Sequence, residues 1–528
     1  MEESNLITPN NPPSEEPNNK ADILKDKIKN WLTNKENLIF LGIIVIAIAL
    51  RLYVFAVTKT QPLWWDEAEY GLKAKSFAFG TPTIGWYTAR EIVVPFLFSL
   101  LSRFGGTEIS WRILQLGVSI AIVFMVYFLG KQMFNKKIAL IATSIISVNA
   151  VLLFFTGKIL TYLWAPLFFL LTFYLFFQGY VNNKGKKYLY LLPVVAALGL
   201  ATYGSLAFGI GAIVLFLFIT EKFNFLKKKE WWIVALIGFI SLVPQFIYSK
   251  ITSGSFVARW AGLQSSRPAS NFSLIFDYFK LSPHLFGWIF TIFIAIGIIY
   301  MLLMLLLSYK LVLKNQSHLL KSYLLVLLWA LAVLGFYTYV SVGWGVTYDG
   351  FVLSLLPALA FVGAIGINLI YELKFNKKIL LGVIFLILIL GSFYQVTYAR
   401  GMILNKVNSF DSVKYAGLWI KENSNLNDSV VSSSLPQMVY YSERVTYPYA
   451  LTQSSLNVPS NLYKTEQEFE KEVISKKPKY ITDSVWEQVP QWVHEYPAKH
   501  NSTLVPVQVY YLDAQKTQPS LIIYEVKY

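Results

Sequence analysis

The chain has 528 residues, 55% of them hydrophobic and only 14% charged, and a formal net charge of +16. Apolar runs of about 20 residues recur along it, which excludes a soluble multidomain protein and, being continuous, means helices rather than a barrel. There is no cysteine, hence no disulfide, zinc-thiolate site or cysteine nucleophile, and with four histidines no histidine-rich metal site is expected.

In chain order, residues 1–20 are rich in Asn, Pro, Glu and Ser and read as disordered. Residues 21–35 read as a basic amphipathic helix lying on the membrane, completing a cytoplasmic tail over 1–37. About eleven spans follow within 38–400: 38–57, 111–130, 138–156, 162–179, 188–202, 205–220, 231–249, 285–308, 322–342, 351–371 and 379–398. Two long loops interrupt them. Loop 58–107 holds two amphipathic stretches, 67–79 and 91–104, and loop 250–284 is rich in aromatic residues.

Lysines gather in alternate short loops, at Lys136-Lys137, Lys184 to Lys187, Lys227 to Lys229 and Lys374 to Lys378. The positive-inside rule makes these loops cytoplasmic, with the N-terminus, in a plasma or inner membrane. Much of the net charge is therefore a topology signal and implies no nucleic-acid partner. An odd number of spans puts loop 58–107 and the tail outside. Beyond 400, short alternating strands (429–432, 479–482, 504–511, 520–526) and amphipathic helices (409–422, 469–475, 484–496) predict an extracytoplasmic α/β domain over 401–528.

The densest cluster of carboxylates is in Trp64-Trp65-Asp66-Glu67-Ala68-Glu69-Tyr70, just after the first span. On a helix, Asp66, Glu69, Tyr70 and Lys73 share a face. Two readings are open. In one, Asp66 is an N-cap, Glu69 completes a capping box and the tryptophans anchor at the interface. In the other, a carboxylate at the membrane surface does chemistry, near an arginine, Arg51, inside the preceding span. Charges at membrane depth are costly and often functional, although Arg51 can also snorkel to the surface.

Arg51-Leu52, its spacing to Pro62-Leu63-Trp64-Trp65-Asp66-Glu67-Ala68, and Tyr70 resemble the GT-C superfamily, in particular its protein O-mannosyltransferase and aminoarabinose-transferase-like branch. Phe104-Gly105 with Ser110-Trp111-Arg112, Leu355-Leu356-Pro357-Ala358 and Tyr441-Ser442-Glu443-Arg444 resemble further family segments. The resemblance spans nearly the whole chain in layout and is specific in motif around residues 51–70. It implies a helical membrane glycosyltransferase that moves a sugar from a polyprenyl-phosphate carrier to a protein, lipid or glycan acceptor on the outer face. It implies Asp66 as general base and Glu67 as its support, with Arg51, Tyr70 and Glu91 among the substrate-binding residues. A departing lipid phosphate calls for a cation, for which Lys158, Arg90, Arg259 and Arg267 are the candidates; Lys158 can equally be a helix-end lysine. The lipid-linked sugar is the only co-substrate implied, with a divalent cation left open; membrane lipids and the acceptor are the partners. The chain departs from the family pattern at Tyr162, where relatives often have an acid, and at Asp349-Gly350-Phe351, where many have an arginine. Glu91, Asp277 and Asp349 are the outer-face candidates for a second acid. Two other readings fit the span count, a lipid-linked-sugar transporter or flippase and an inactive receptor of the same fold.

Overall fold

The computed structural model describes residues 20–81, 91–256, 271–313, 317–449 and 465–528. Each of the eleven expected spans is helical. Among the described residues, eight helical segments are long and apolar enough to cross a bilayer, and a ninth, a pair of helices, is bent by 55°. The expected spans 188–202 and 205–220 are shorter helices, Lys186–Leu200 and Leu206–Glu221.

The chain opens with α1 (Lys20–Thr33), whose Ile23, Leu24, Ile28, Trp31 and Leu32 are exposed, and α2 (Lys35–Thr58). Outside the bundle lie α3 (Trp65–Phe79) and α4 (Val93–Arg103), the two amphipathic stretches of the first loop. The bundle continues with α5 (Glu108–Met133), α6 (Lys136–Val148), α7 (Ala150–Thr156), α8 (Trp164–Phe176), α9 (Lys186–Leu200), α10 (Leu206–Glu221) and α11 (Lys229–Ser253). It closes with α12 (Asp277–Leu307), the short α13 (Tyr309–Leu313), α14 (His318–Trp344), α15 (Leu356–Glu372) and α16 (Lys377–Leu404).

Two breaks shape the bundle. Asn149 separates α6 from α7: its side chain accepts from Leu152 N at 3.0 Å and donates to the Leu285 carbonyl at 2.7 Å. The Ala150 N–H freed by the bend donates to Gln395 Oε1 at 2.8 Å, so the buried break leaves that donor satisfied. In α12 the helix is interrupted at Gly287, where φ is +74° and a Cβ would come within 2.7 Å of the Tyr394 ring.

The lysine-rich loops share one end. Lys136 pairs with Glu36 at 3.2 Å, and Lys137 and Lys377 both lie over the Tyr371 ring. The acidic cluster lies at the other end, with the tail.

The tail is an α/β domain: α17 (Asp411–Glu422), β1 (Ser429–Val431), α18 (Leu435–Ser442), β2 (Val445–Tyr447), α19 (Glu466–Lys476), β3 (Tyr480–Ser484), α20 (Gln491–Lys499), β4 (Leu504–Tyr511) and β5 (Pro519–Val526). Sheet order is β2-β1-β3-β5-β4, with β1 parallel to β2 and β3, and β5 antiparallel to β3 and β4. Alternate residues feed opposite faces, as strand geometry requires. Val430 and Tyr480 pack with Val413 and Ile420 of α17, while Val431 and Ile481 pack with Phe469 of α19 and Tyr496 of α20. The structure adds α18 and β2 to the expected elements. It also starts the helix expected over 484–496 only at Gln491: β3 takes Ser484, and the extended Pro490 is the residue from which the helix begins.

Candidate active site

Pro62 forces the chain after α2 into an extended course, since the residue before a proline avoids the helical region. This short strap, 60–64, ends at Trp64, the N-cap of α3, with φ −75° and ψ 173°. The cap corrects the expectation placed on Asp66. Asp66 is the second residue inside the helix, and it is Glu67, not Glu69, whose carboxylate reaches back to the Trp64 N–H, at 2.9 Å. An indole cannot accept in return, so only half of a capping box exists. Glu69 is buried and accepts from the Trp65 indole at 3.1 Å.

The two neighbouring acids live in different surroundings. Glu67 is fully buried: its Oε1 accepts from Ile159 N at 2.6 Å and lies 3.5 Å from Arg112 Nη1, itself fully buried in α5. Arg112 also donates to the Gly157 carbonyl and, at 2.8 Å, to the Gln61 carbonyl. Asp66, one residue earlier, is half-buried, and the Tyr162 hydroxyl approaches its Oδ2 at 3.5 Å.

Lys158 completes the cluster from the turn after α7. Gly157 before it lies so close to the end of α2 that a Cβ would come within 2.5 Å of Thr58 Oγ1. Lys158 is 2% exposed; its Nζ donates to Gln61 Oε1 at 3.0 Å and sits 3.3 Å from the centre of the Trp64 ring, a cation–π contact. Burial pushes the ammonium down to about 7, with Glu67 pulling it up and Arg112 and Lys406 pushing it further down. The departures from the family pattern meet beside Asp66 as aromatic packing. Tyr162 lies 5.7 Å, ring to ring, from both Tyr203 and Tyr348. A Cβ on Gly350 would come within 2.5 Å of Tyr348 and 2.9 Å of Phe155. Burial and then the charge of Asp66 raise the Tyr348 hydroxyl.

Of the expected site residues, Asp66, Glu67, Tyr70 and Lys158 come together, Tyr70 pairing with Thr161 at 2.9 Å in the turn beyond Lys158. Arg51 stands apart, deeper in the bundle. It donates to Ser119 at 2.8 Å and to the Ala47 and Ser147 carbonyls, tying α2 to α5 and α6. Glu91 is buried two residues before α4. Arg90, Arg259 and Arg267 lie outside the described residues. Gln61 and Arg112 belong to the cluster and were not among the candidates. Arg112 carried the same signal as Arg51, a charge within an apolar run. Among the described residues no three His, Asp or Glu side chains gather to hold a metal.

This architecture is that of a multi-pass membrane protein with the GT-C fold. ArnT from Cupriavidus metallidurans, crystallised with undecaprenyl phosphate, superimposes with a TM-score of 0.63 at 12% identity, over 91% of this chain and 98% of that one. The Archaeoglobus fulgidus oligosaccharyltransferase tethered to an acceptor peptide containing the NVT sequon gives 0.55 at 13%, over 92% and 74%. The same organism's AglB, in complex with an inhibitory peptide and a dolichol-phosphate, gives 0.55 at 12%, over 84% and 69%. The dolichyl-phosphate-mannose-protein mannosyltransferase family profile matches residues 89–248. No curated protein matches the sequence. The chain thus shares the GT-C fold of these proteins, and its residues 89–248 are similar to the mannosyltransferase family.

Proposed function

We propose that the protein transfers a sugar from a polyprenyl-phosphate donor to an acceptor hydroxyl on the outer face of the membrane. The observation that carries this reading is a half-buried carboxylate, Asp66, in the first turn of α3, with a buried ammonium, Lys158, held against Trp64, the N-cap of the same helix. Asp66 takes the acceptor proton as the acceptor oxygen attacks the anomeric carbon. The bond from that carbon to the phosphate oxygen breaks, and the polyprenyl phosphate leaves with the electron pair. Lys158, supported by the nearby guanidinium of Arg112, meets the charge that builds on the phosphate, leaving Gln61 Oε1 to do so. Glu67 balances the cations and fixes the start of α3. Tyr162 and Tyr348 line the approach to Asp66.

The test is purified protein with a labelled polyprenyl-phosphate sugar, scored for released lipid phosphate and for labelled acceptor. Turnover lost in Asp66→Asn supports the assignment. Tight donor binding without turnover in the wild type would instead favour a receptor.

A further inference from the structure

The strap that leads into the acidic cluster is held from outside the bundle. Lys414 Nζ in α17 donates to the Thr60 carbonyl at 3.2 Å, Gln61 Nε2 donates to the Lys406 carbonyl at 2.5 Å, and Leu63 N–H donates to the Tyr441 hydroxyl at 2.8 Å. Three of four consecutive residues are thus tied to the chain beyond the last span. The fourth is Pro62, which has no N–H to give. The same strap holds the cations: Gln61 Oε1 accepts from Lys158, Gln61 O accepts from Arg112, and Trp64 lies against the Lys158 ammonium.

Tyr441 is itself firmly placed. A Cβ on Gly417 of α17 would lie 2.6 Å from its own Cβ, and Arg444 binds the end of α17 through Ser424 Oγ at 2.9 Å and the carbonyls of Lys421 and Ser424. Its neighbour Tyr440 packs on α3 at Gly71, with the Lys75 ammonium 4.0 Å from the ring centre and Lys75 paired to Glu443 at 3.3 Å. Tyr440 and Tyr441 belong to the core of the membrane part, not to the core of the sheet.

We infer that the C-terminal domain sets the geometry of the Lys158 phosphate site through the 60–64 strap, with Tyr441 as the positioning residue. The inference rests on the proposed encounter of Lys158 with a lipid phosphate.

Tyr441→Phe keeps the ring and removes only the acceptor for Leu63 N–H. In the full-length protein, the melting temperature should hold. Hydrogen exchange in peptides covering 60–64 should speed up about 3–10-fold, the worth of one hydrogen bond, and affinity for undecaprenyl phosphate should fall by a similar factor. Tyr528→Phe, which removes a tail hydroxyl bonded to the Pro478 carbonyl at 2.9 Å, should change neither readout. If Tyr441→Phe does not fold, Lys414→Met tests the Thr60 anchor by the same two measurements. Unchanged exchange at the strap overturns the clamp. Faster exchange with unchanged affinity overturns its coupling to the site. A wild-type protein that binds no undecaprenyl phosphate, while Tyr441→Phe still loosens the strap, sinks the phosphate reading and with it the coupling, and leaves a purely structural clamp.

Discussion

Asp66 and Glu67 are adjacent in sequence yet separable by experiment. Asp66 is not the N-cap of α3, and asparagine keeps its size and an accepting oxygen, so Asp66→Asn should leave the melting temperature nearly unchanged while sugar transfer falls roughly 10²–10⁴-fold, the usual worth of a positioned general base. Glu67→Gln should do the reverse of a mild change. It leaves the buried Arg112 uncompensated, and an amide cannot accept with both its ends, so either Ile159 N or Trp64 N meets an NH₂ group. A loss of about 3–5 kcal/mol is expected from breaking a buried pair, read as a lower melting temperature. Lys158 gives a pH signature. Its ammonium is depressed to about 7, so the cation is present below that pH and is lost above it. Affinity for a polyprenyl phosphate should weaken as pH rises past about 7, and Lys158→Gln should remove that dependence; a titration of binding between pH 6 and 9 decides it. The acidic pair was legible in the sequence because three carboxylates stand out in a chain so poor in charge. Their division of labour was not, because the helix starts two residues earlier than an Asp66 cap would have it, and that start decides which acid reaches back to the cap.

Apolar periodicity carried most of the elements. What it could not carry were elements set by partners. Helix α18 begins Leu435-Pro436 and spans one residue more than two turns, and β2 is three residues long; each exists because the sheet and α3 bury it. The bend between α6 and α7 rests on Asn149, bonded to the Leu285 carbonyl, and on the Ala150 N–H, bonded to Gln395, and both partners are distant in sequence. The α3–α18 contact offers a direct test. Gly71 sits inside α3, where alanine normally gains roughly 0.5–1 kcal/mol of helix stability. Here its Cβ would come within 2.8 Å of the Tyr440 ring and 3.2 Å of Trp111. Overpacking costs of about 1–3 kcal/mol should outweigh the gain. Gly71→Ala should lower the melting temperature, and an unchanged or raised value would mean that the seam is loose.

At the scale of the whole molecule, the charge pattern and the packing agree on which parts share an end. Glu36, Lys136, Lys137, Tyr371 and Lys377 converge at one end of the bundle, drawn from α2, α6 and the α15–α16 turn, three places far apart in sequence. The strap and Tyr441 meet at the other. The positive-inside rule assigns the lysine-rich end to the cytoplasm. The absence of cysteine makes this measurable on an otherwise native chain. Lys187→Cys places a single thiol in a lysine-rich loop, and Lys516→Cys places one beyond β4, in the tail. In intact cells a membrane-impermeant maleimide should label the second and reach the first only after permeabilisation. The reverse pattern would put the strap, Asp66 and the clamp on the cytoplasmic side, and an outer-face transferase would then be untenable whatever the chemistry of the site.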